Sequence, residues 1–355
     1  MVGRARLYVC GITPYDTTHL GHAATFVWTD VLARVLHAGG LEVTVVRNVT
    51  DVDDDMLDQA RAQRVPWRSL ATRQTYRFED DMRLLGVAHP AFEPRSHDYA
   101  AEVIDLAAGL LDAGAAYVAE GTVWFRGADV PAALGLSGAE ALDRTRTGGH
   151  RDLPGQAEPF DVPVWQRSEE WEPSWPSPWG QGRPGWHAEC TAMSLATVGS
   201  GLDVHAGGAD LAFPHHAYEA ALAEAATGVH PFARAWLHVG TVRIDGQKMA
   251  KSAGNLVFVH DLLESWPPGA LRLLLLDRPW HAPWDYDEDA LRRAETRWER
   301  LRGLAARPTE SETAEAAALD ALWDDLGTER ALAIAEEAGG AVARRVGELL
   351  GVLAD

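Results

Sequence analysis

Residues 7–46 read LYVCGITPYDTTHLGHAATFVWTDVLARVLHAGGLEVTVV, and this stretch decides the fold. Leu7 to Ile12 has the length and apolar content of a buried strand. Pro14, Asp16, Thr17 and Thr18 supply a turn. From about Gly21 to Ala38 the apolar positions Phe26, Val27, Val31, Leu32 and Val35 recur at helical spacing. Gly39-Gly40 ends that helix. Leu41 to Val46 is β-branched and alternates in part, which predicts a second strand. Strand, helix and strand in succession predict a parallel pair and its crossover, hence a Rossmann-like α/β domain. Asn48 to Asp51 then fall where the second strand ends, the edge at which open α/β sheets bind ligands.

The rest of the chain is arranged around this unit. Residues of about 52–114 are helix-rich. Residues 115–160 read as short strands and turns, an insertion. Trp171 to Trp186, rich in Trp, Pro and Gly, reads as a loop. Leu202 to His205 resumes the sheet, and Gly207 to Asp210 end that strand. Trp236–Gly240 and Thr241–Ile244 are further strands before the Asp245-Gly246 turn. Beyond about Asp261 the pattern is helical to the end, with residues 309–318 a linker or helix start.

With 355 residues, 46% of them hydrophobic, two or three domains are expected. Arg4 and Arg6 precede a short strand-like run rather than a signal peptide. No apolar run approaches the roughly 20 residues that span a bilayer. The chain therefore reads as cytoplasmic, without a membrane partner, and its two cysteines as reduced thiols or metal ligands. A net charge of −20 argues against a phosphate backbone as partner. Residues 310–355 carry eleven acidic side chains and three basic ones, so no basic patch is expected there.

Three segments carry chemistry. Cys10, Cys190 at the end of Gly185-Trp186-His187-Ala188-Glu189-Cys190, and His215 and Glu219 in FPHHAYE supply two thiols, an imidazole and a carboxylate. That set suits one tetrahedral zinc ion. His19-Leu20-Gly21-His22 occupies the first strand-to-helix turn, where backbone N–H groups face a bound anion and Gly21 permits close approach. Lys248-Met249-Ala250-Lys251-Ser252 places two lysines three apart after a turn, able to hold a triphosphate and neutralise departing pyrophosphate. Each string alone has an ordinary reading: a buried strand cysteine, a core histidine, a helix N-terminus, a solvated lysine pair. The combination changes that.

HLGH in the first strand–helix turn followed by KMAKS after the last strand resembles the signature pair of class I aminoacyl-tRNA synthetases. With YVCGIT, GRPGWHAEC and FPHH added, the chain from Tyr8 to about Leu353 resembles the cysteinyl-tRNA synthetase superfamily. It is closest to that superfamily's mycothiol-pathway cysteine:glucosaminyl-inositol ligases. The resemblance implies a Rossmann-like catalytic domain in two halves (1–85 and 166–262), an inserted α+β connective subdomain (86–165) and a C-terminal helical domain (263–355). It implies a zinc ion on Cys10, Cys190, His215 and Glu219 that selects the substrate thiol. Thiolate–zinc bonding separates cysteine from serine better than an apolar pocket can. It makes His19 and His22 the phosphate-stabilising pair and Lys248 and Lys251 the loop lysines. It assigns Thr13, Gly21, Thr25, Asn48, Thr50, Trp186, Gly208, Asp210, Val242 and Ser252 to the walls around cysteine and nucleotide.

The implied reaction consumes L-cysteine and ATP with Mg2+, forms cysteinyl-adenylate and pyrophosphate, then passes cysteine to an acceptor. The run from Pro14 to Thr25, with Ala24 where the tRNA enzyme usually has Arg, and the Gly148-Gly149 element favour a small amine, that of glucosaminyl-inositol. With the chain stopping at Asp355, no anticodon-reading module is expected. Glu219 and the stretch Ala223 to Gly228 are synthetase-like and keep tRNA, or another amine, as the alternative acceptor. A non-catalytic synthetase-like binding module is a minor alternative.

Overall fold

The computed structural model describes residues 3–15, 18–148, 153–249 and 254–353. Among the described residues the chain opens with β1 (Arg4–Ile12), α1 (Leu20–Ala38) and β2 (Glu42–Val49). Three helices follow: α2 (Asp54–Gln63), α3 (Trp67–Leu84) and α4 (Ala100–Asp112). Next come β3 (Ala116–Ala119), β4 (Thr122–Phe125), α5 (Val130–Ala133) and α6 (Gly138–Thr147). Then β5 (Val162–Arg167), β6 (Trp175–Ser177) and β7 (Gly180–Pro184) lead into α7 (Trp186–Val198). The sheet resumes with β8 (Leu202–Gly208), α8 (Ala217–Thr227) and β9 (Ala233–Val239). The small strands β10 (Val242–Ile244) and β11 (Gln247–Lys248) precede α9 (Val259–Leu263) and α10 (Pro268–Leu276). After β12 (Trp284–Asp285) the chain ends in α11 (Glu288–Ala305), α12 (Glu312–Trp323), α13 (Thr328–Ala338) and α14 (Gly340–Leu349).

The first sheet has the order β2-β1-β8-β9, all parallel. The expected strand–helix–strand unit supplies its inner strand β1 and its edge strand β2. The chain leaves β1 in one direction to reach β2 and returns on the other side with β8 and β9. The carboxyl ends of β1 and β8 therefore flank a topological switch point, where a crevice opens. Gly11 is required there. A Cβ on it would meet the Asn48 carbonyl at 1.7 Å, and its N–H instead donates to Asn48 Oδ1 at 2.8 Å.

A second sheet, antiparallel, has the order β3-β4-β5-β7-β6. It runs on to Pro184, past residue 165. The expected loop from Trp171 to Trp186 is thus a β-hairpin over much of its length, with Trp175 opposite Gly182 and Ser177 opposite Gly180. Gly180, at φ +115, and Ser177, whose hydroxyl donates to the Gly180 carbonyl at 2.7 Å, make its turn. The hairpin holds by pairing with β5, a contact no local periodicity announces. The region expected as strands and turns also contains α6, capped by Ser137 Oγ, which accepts from Glu140 N at 3.3 Å.

One core joins the parallel sheet, α1 and the C-terminal helices, through residues such as Val27, Val31, Leu273, Leu291 and Val346. Arg272 of α10 is buried in this junction. It donates to Leu350 O at 2.8 Å, Leu85 O at 2.9 Å and Asp30 Oδ2 at 2.6 Å. A charge this deep is tolerable because its donors meet acceptors on α1, after α3 and after α14. No described helix is long and apolar enough to cross a membrane.

Candidate active site

A cavity of about 480 Å³ opens at the carboxyl ends of the parallel strands. Its wall brings together residues from every segment singled out in the sequence: Cys10 and Thr13 from β1 and its turn, His19, Gly21, His22 and Thr25 from the start of α1, Asn48 and Thr50 from the end of β2. Trp186, Cys190, Gly208, Asp210, His215, Val242 and Lys248 complete the set. Glu219 sits behind this wall, fully buried. Lys251 and Ser252 lie outside the described residues.

At one end stands the thiol group. Trp186 and Cys190 are one turn apart on α7, and His215, in the helical turn that leads into α8, stands four residues before Glu219 in the first turn of α8, so each pair projects to one side. Cys10 Sγ lies 3.3 Å from Glu219 Oε1, and His215 Nε2 lies 3.1 Å from the same oxygen. Asn48 Nδ2 donates to Cys190 Sγ at 3.1 Å. One ligand atom each from Cys10, Cys190, His215 and Glu219 fall within 4.8 Å of one another, all buried. The Trp186 ring stacks on His215, with centroids 4.3 Å apart.

Burial would raise the Cys10 pKa, but the hydrogen bond from Cys190 and the nearby His216 and His215 hold it well below that of an ordinary thiol. Burial of Glu219 is likewise outweighed by His215 and His205, which drive its carboxyl well below the usual range. Burial would lower His215, yet Glu219 and Cys10 push it up to about 10. Cys10 and Glu219 therefore favour negative charge beside a His215 that favours its proton, while burial and the neighbouring Cys10 push the Cys190 thiol well up. A divalent cation would meet the same charge and release those protons, so the donor set fits zinc in number, type and spacing.

At the other end stand the groups suited to phosphate. His19 caps α1, its Nδ1 accepting from Gly21 N at 3.1 Å, and its ring stacks on His22 at 3.9 Å between centroids. Burial, then His22 and Lys248, lower its pKa to about 2, so the ring is neutral and its Nε2 carries the proton. Lys248 Nζ pairs with Asp210 Oδ2 at 2.6 Å. That pairing outweighs burial and lowers the Asp210 pKa. The chain beyond the lysine loop is stitched back to the HLGH turn. Leu20 N donates to Val257 O at 3.0 Å, and Val259 N to Thr18 O at 2.9 Å. Between the two ends, the Thr13 and Thr50 hydroxyls bond at 2.8 Å.

The structure adds residues that sequence reasoning left out. His205 of β8 is buried with Nε2 2.6 Å from Glu219 Oε2, and His187 Nδ1 lies 2.9 Å from His215 Nδ1. Both orient the thiol-end donors from behind. His187 stood inside the quoted run beside Cys190. His205 lay in a predicted strand with nothing local to mark it. Tyr15, Asp55 and Thr147 also line the cavity.

The model of the class I (C) tRNA synthetase catalytic domain family matches residues 2–296. The L-cysteine:1D-myo-inositol 2-amino-2-deoxy-alpha-D-glucopyranoside ligase of Streptosporangium roseum is 45% identical over 343 residues, 94% of this chain and 83% of that protein. The cysteine–tRNA ligase of Geobacter metallireducens is 42% identical over 305 residues, 86% of this chain and 62% of that protein. In fold, the Mycobacterium tuberculosis methionyl-tRNA synthetase in complex with methionyl-adenylate is similar, with TM-score 0.65 and 19% identity over 99% of this chain and 82% of that one. Sequence match and fold agree: the chain belongs to the family of class I (C) tRNA synthetase catalytic domains.

Proposed function

We propose that this protein activates L-cysteine with ATP and passes it to the amine of a small acceptor, glucosaminyl-inositol. One observation carries the reading: two thiols, an imidazole and a carboxylate converge at one end of a cavity whose other end holds His19, His22 and Lys248. The distance between the ends is bridged by the Thr13–Thr50 floor, where an amino acid carboxylate would sit between thiol and phosphates.

Cys10, Cys190, His215 and Glu219 would hold a zinc ion, which when bound supplies a Lewis acid that selects the substrate thiolate over a hydroxyl. The remaining chemistry belongs to the chain. The cysteine carboxylate oxygen forms a bond to the α-phosphorus of ATP, and the bond to the pyrophosphate oxygen breaks. His19, neutral with a proton on Nε2, and His22 donate to phosphate oxygens. Lys248, released from Asp210, neutralises the departing pyrophosphate together with Mg2+. Trp186 walls the thiol end against water. In the second step the acceptor nitrogen bonds to the cysteinyl carbonyl carbon, the carbonyl–oxygen bond to phosphate breaks, and AMP leaves with that electron pair. The surplus amine proton passes to solvent.

The 45% identity to a protein named as the cysteine:glucosaminyl-inositol ligase and the net charge of −20 support the amine acceptor. A second reading, transfer to tRNA, draws on Glu219 in the donor set and on the 42% identical cysteine–tRNA ligase. The test offers the enzyme ATP and cysteine with either glucosaminyl-inositol or cysteine tRNA. Cysteinylated amino sugar is expected. Charged tRNA with untouched amino sugar would replace the first reading by the second.

A further inference from the structure

Behind the four thiol-end donors lies a second set that shares two of them. Ligand atoms of Cys10, His205, His216 and Glu219 also fall within 4.8 Å of one another, and all four residues are buried. We infer that Cys10, His205, His216 and Glu219 form a second cation position, inward of the first, suited to a divalent ion of the zinc type. The inference rests on the reading of Cys10, Cys190, His215 and Glu219 as a zinc centre.

Orphaned polar atoms carry the case. His205 is fully buried on β8, and neither of its ring nitrogens has a hydrogen-bond partner. Its Nε2 stands 2.6 Å from Glu219 Oε2, but without hydrogen-bond geometry, and that oxygen has no hydrogen-bond partner either. His216 Nε2, in the turn before α8, is buried and equally unpartnered. Buried polar atoms left in this way are costly, and native folds satisfy nearly all of them. A cation bound by the set would satisfy an orphaned atom on each of these three residues. The surroundings hold the donors in place. His216 Nδ1 is engaged by His238 Nε2 at 2.9 Å, so Nε2 is the nitrogen left to ligate. Gly207 makes room for that ring: a Cβ there would meet His216 Cε1 at 2.6 Å and Nε2 at 2.8 Å. Trp236 stacks on both imidazoles, 4.9 Å from His205 and 5.5 Å from His216 between centroids.

The shared residues can serve both positions. Glu219 has one oxygen for each set: Oε1 near Cys10 Sγ and His215 Nε2, Oε2 beside His205. A thiolate such as Cys10 has lone pairs enough for two ions. Two imidazoles, a thiolate and a carboxylate favour zinc or cobalt(II) over calcium or magnesium, which take oxygen donors. Cys10, Cys190 and His215 line the cavity, whereas His205, His216 and Glu219 do not. An ion therefore reaches the inner position by way of the outer one. Cys10, Cys190 and Glu219 supply three negative charges against the four positive charges of two divalent ions, so the second ion binds less tightly than the first. The inner position fills in excess metal, while protein as purified keeps the outer ion.

The test adds cobalt(II) to the full chain stripped of metal. Bound metal is counted by equilibrium dialysis, and the thiolate-to-cobalt absorption band is followed alongside. Wild type should take up about two equivalents, one tight and one weak, with both steps visible in the band because Cys10 serves each. His205→Gln and His216→Gln should each lose the weak equivalent and keep the tight one within about tenfold of its wild-type affinity. Cys190→Ser, held in excess cobalt, should bind one weak ion that disappears when His205→Gln is added. His205→Phe, which fills the space of the ring, gives the same reading should the Gln variant fold poorly. A wild type that saturates at one tight equivalent, or a second equivalent undiminished in either histidine variant, would overturn the inner position. A wild type that binds no ion tightly would instead overturn the zinc reading on which it rests.

Discussion

Cys10 Sγ and Glu219 Oε1 stand 3.3 Å apart, although 209 residues separate them in sequence. Neither element that carries them could bring this about alone. Cys10 lies on the central strand of the parallel sheet, and Glu219 on a helix that follows the neighbouring strand β8. Parallel pairing of β1 with β8, Tyr8 opposite His205, sets the two side by side. The long crossover through the inserted sheet then delivers Cys190 to the same point. This cluster of four donors is therefore a product of topology, and its proposed chemistry can be tested residue by residue.

Replacing Cys190 with Ser removes a thiolate donor and leaves Asn48 Nδ2 facing a hydroxyl. Bound zinc, measured by elemental analysis of purified protein, should fall from near stoichiometric to a small residue. Discrimination against serine in ATP–pyrophosphate exchange should fall by roughly 100-fold or more. Retained zinc with unchanged discrimination would show that the four donors do not act as one site.

Lys248 reaches Asp210 across the phosphate end of the cavity. Lys248→Ala removes the charge that, in the proposed reaction, acts when pyrophosphate departs. The exchange kcat should drop by about 100-fold, the scale of losing one preorganised donor to developing charge. Zinc content should be unaffected, because the lysine is not among the thiol-end donors. A kcat near wild type would remove Lys248 from the activation step.

His19 makes a pH prediction. Burial, His22 and Lys248 lower its pKa from 6.5 to about 2. In the unfolded chain the ring takes up a proton below 6.5; in the folded chain it refuses one until about pH 2. The unfolded state then binds more protons across that window, so stability is fully present above 6.5 and declines as pH falls towards 2. His19→Gln should flatten this decline in denaturant titrations at several pH values. An imidazole resonance of His19 that titrates near its ordinary value would contradict the assignment.

Arg272 holds the C-terminal helices to the Rossmann-like core through Asp30, Leu85 and Leu350. Arg272→Ala leaves the buried Asp30 carboxylate with Arg34 and the Ala88 N–H alone and strands two carbonyls. Chemical denaturation should show a loss of about 3–5 kcal/mol. Arg272→Met, which fills the space without a charge, should still lose stability while Asp30 is left in place. The double variant with Asp30→Leu should recover part of the loss.

The sequence carried the parallel unit because β1, α1 and β2 are contiguous and each obeys its own period. The thiol group was legible for a different reason. Its residue types are uncommon enough that Cys10, Cys190, His215 and Glu219 stand out before their distances are known. His205 and Arg272 were not legible: the role of Arg272 depends on Asp30, 242 residues away, and that of His205 on Glu219 of the next helix, with nothing in its own strand to mark it. Tyr15 was hidden in a turn that reads as punctuation. The hairpin of β6 and β7 was missed because its Trp, Pro and Gly content signals a loop, while pairing with β5 supplies the order.

Cysteine-dependent ATP–pyrophosphate exchange in the zinc-loaded protein tests the central claim most directly. Exchange that requires cysteine, is not supported by serine at equal concentration and needs no acceptor is the result expected from a thiol-selecting end joined to a phosphate end in one cavity. No exchange above background with cysteine, in protein shown to hold zinc, would contradict it.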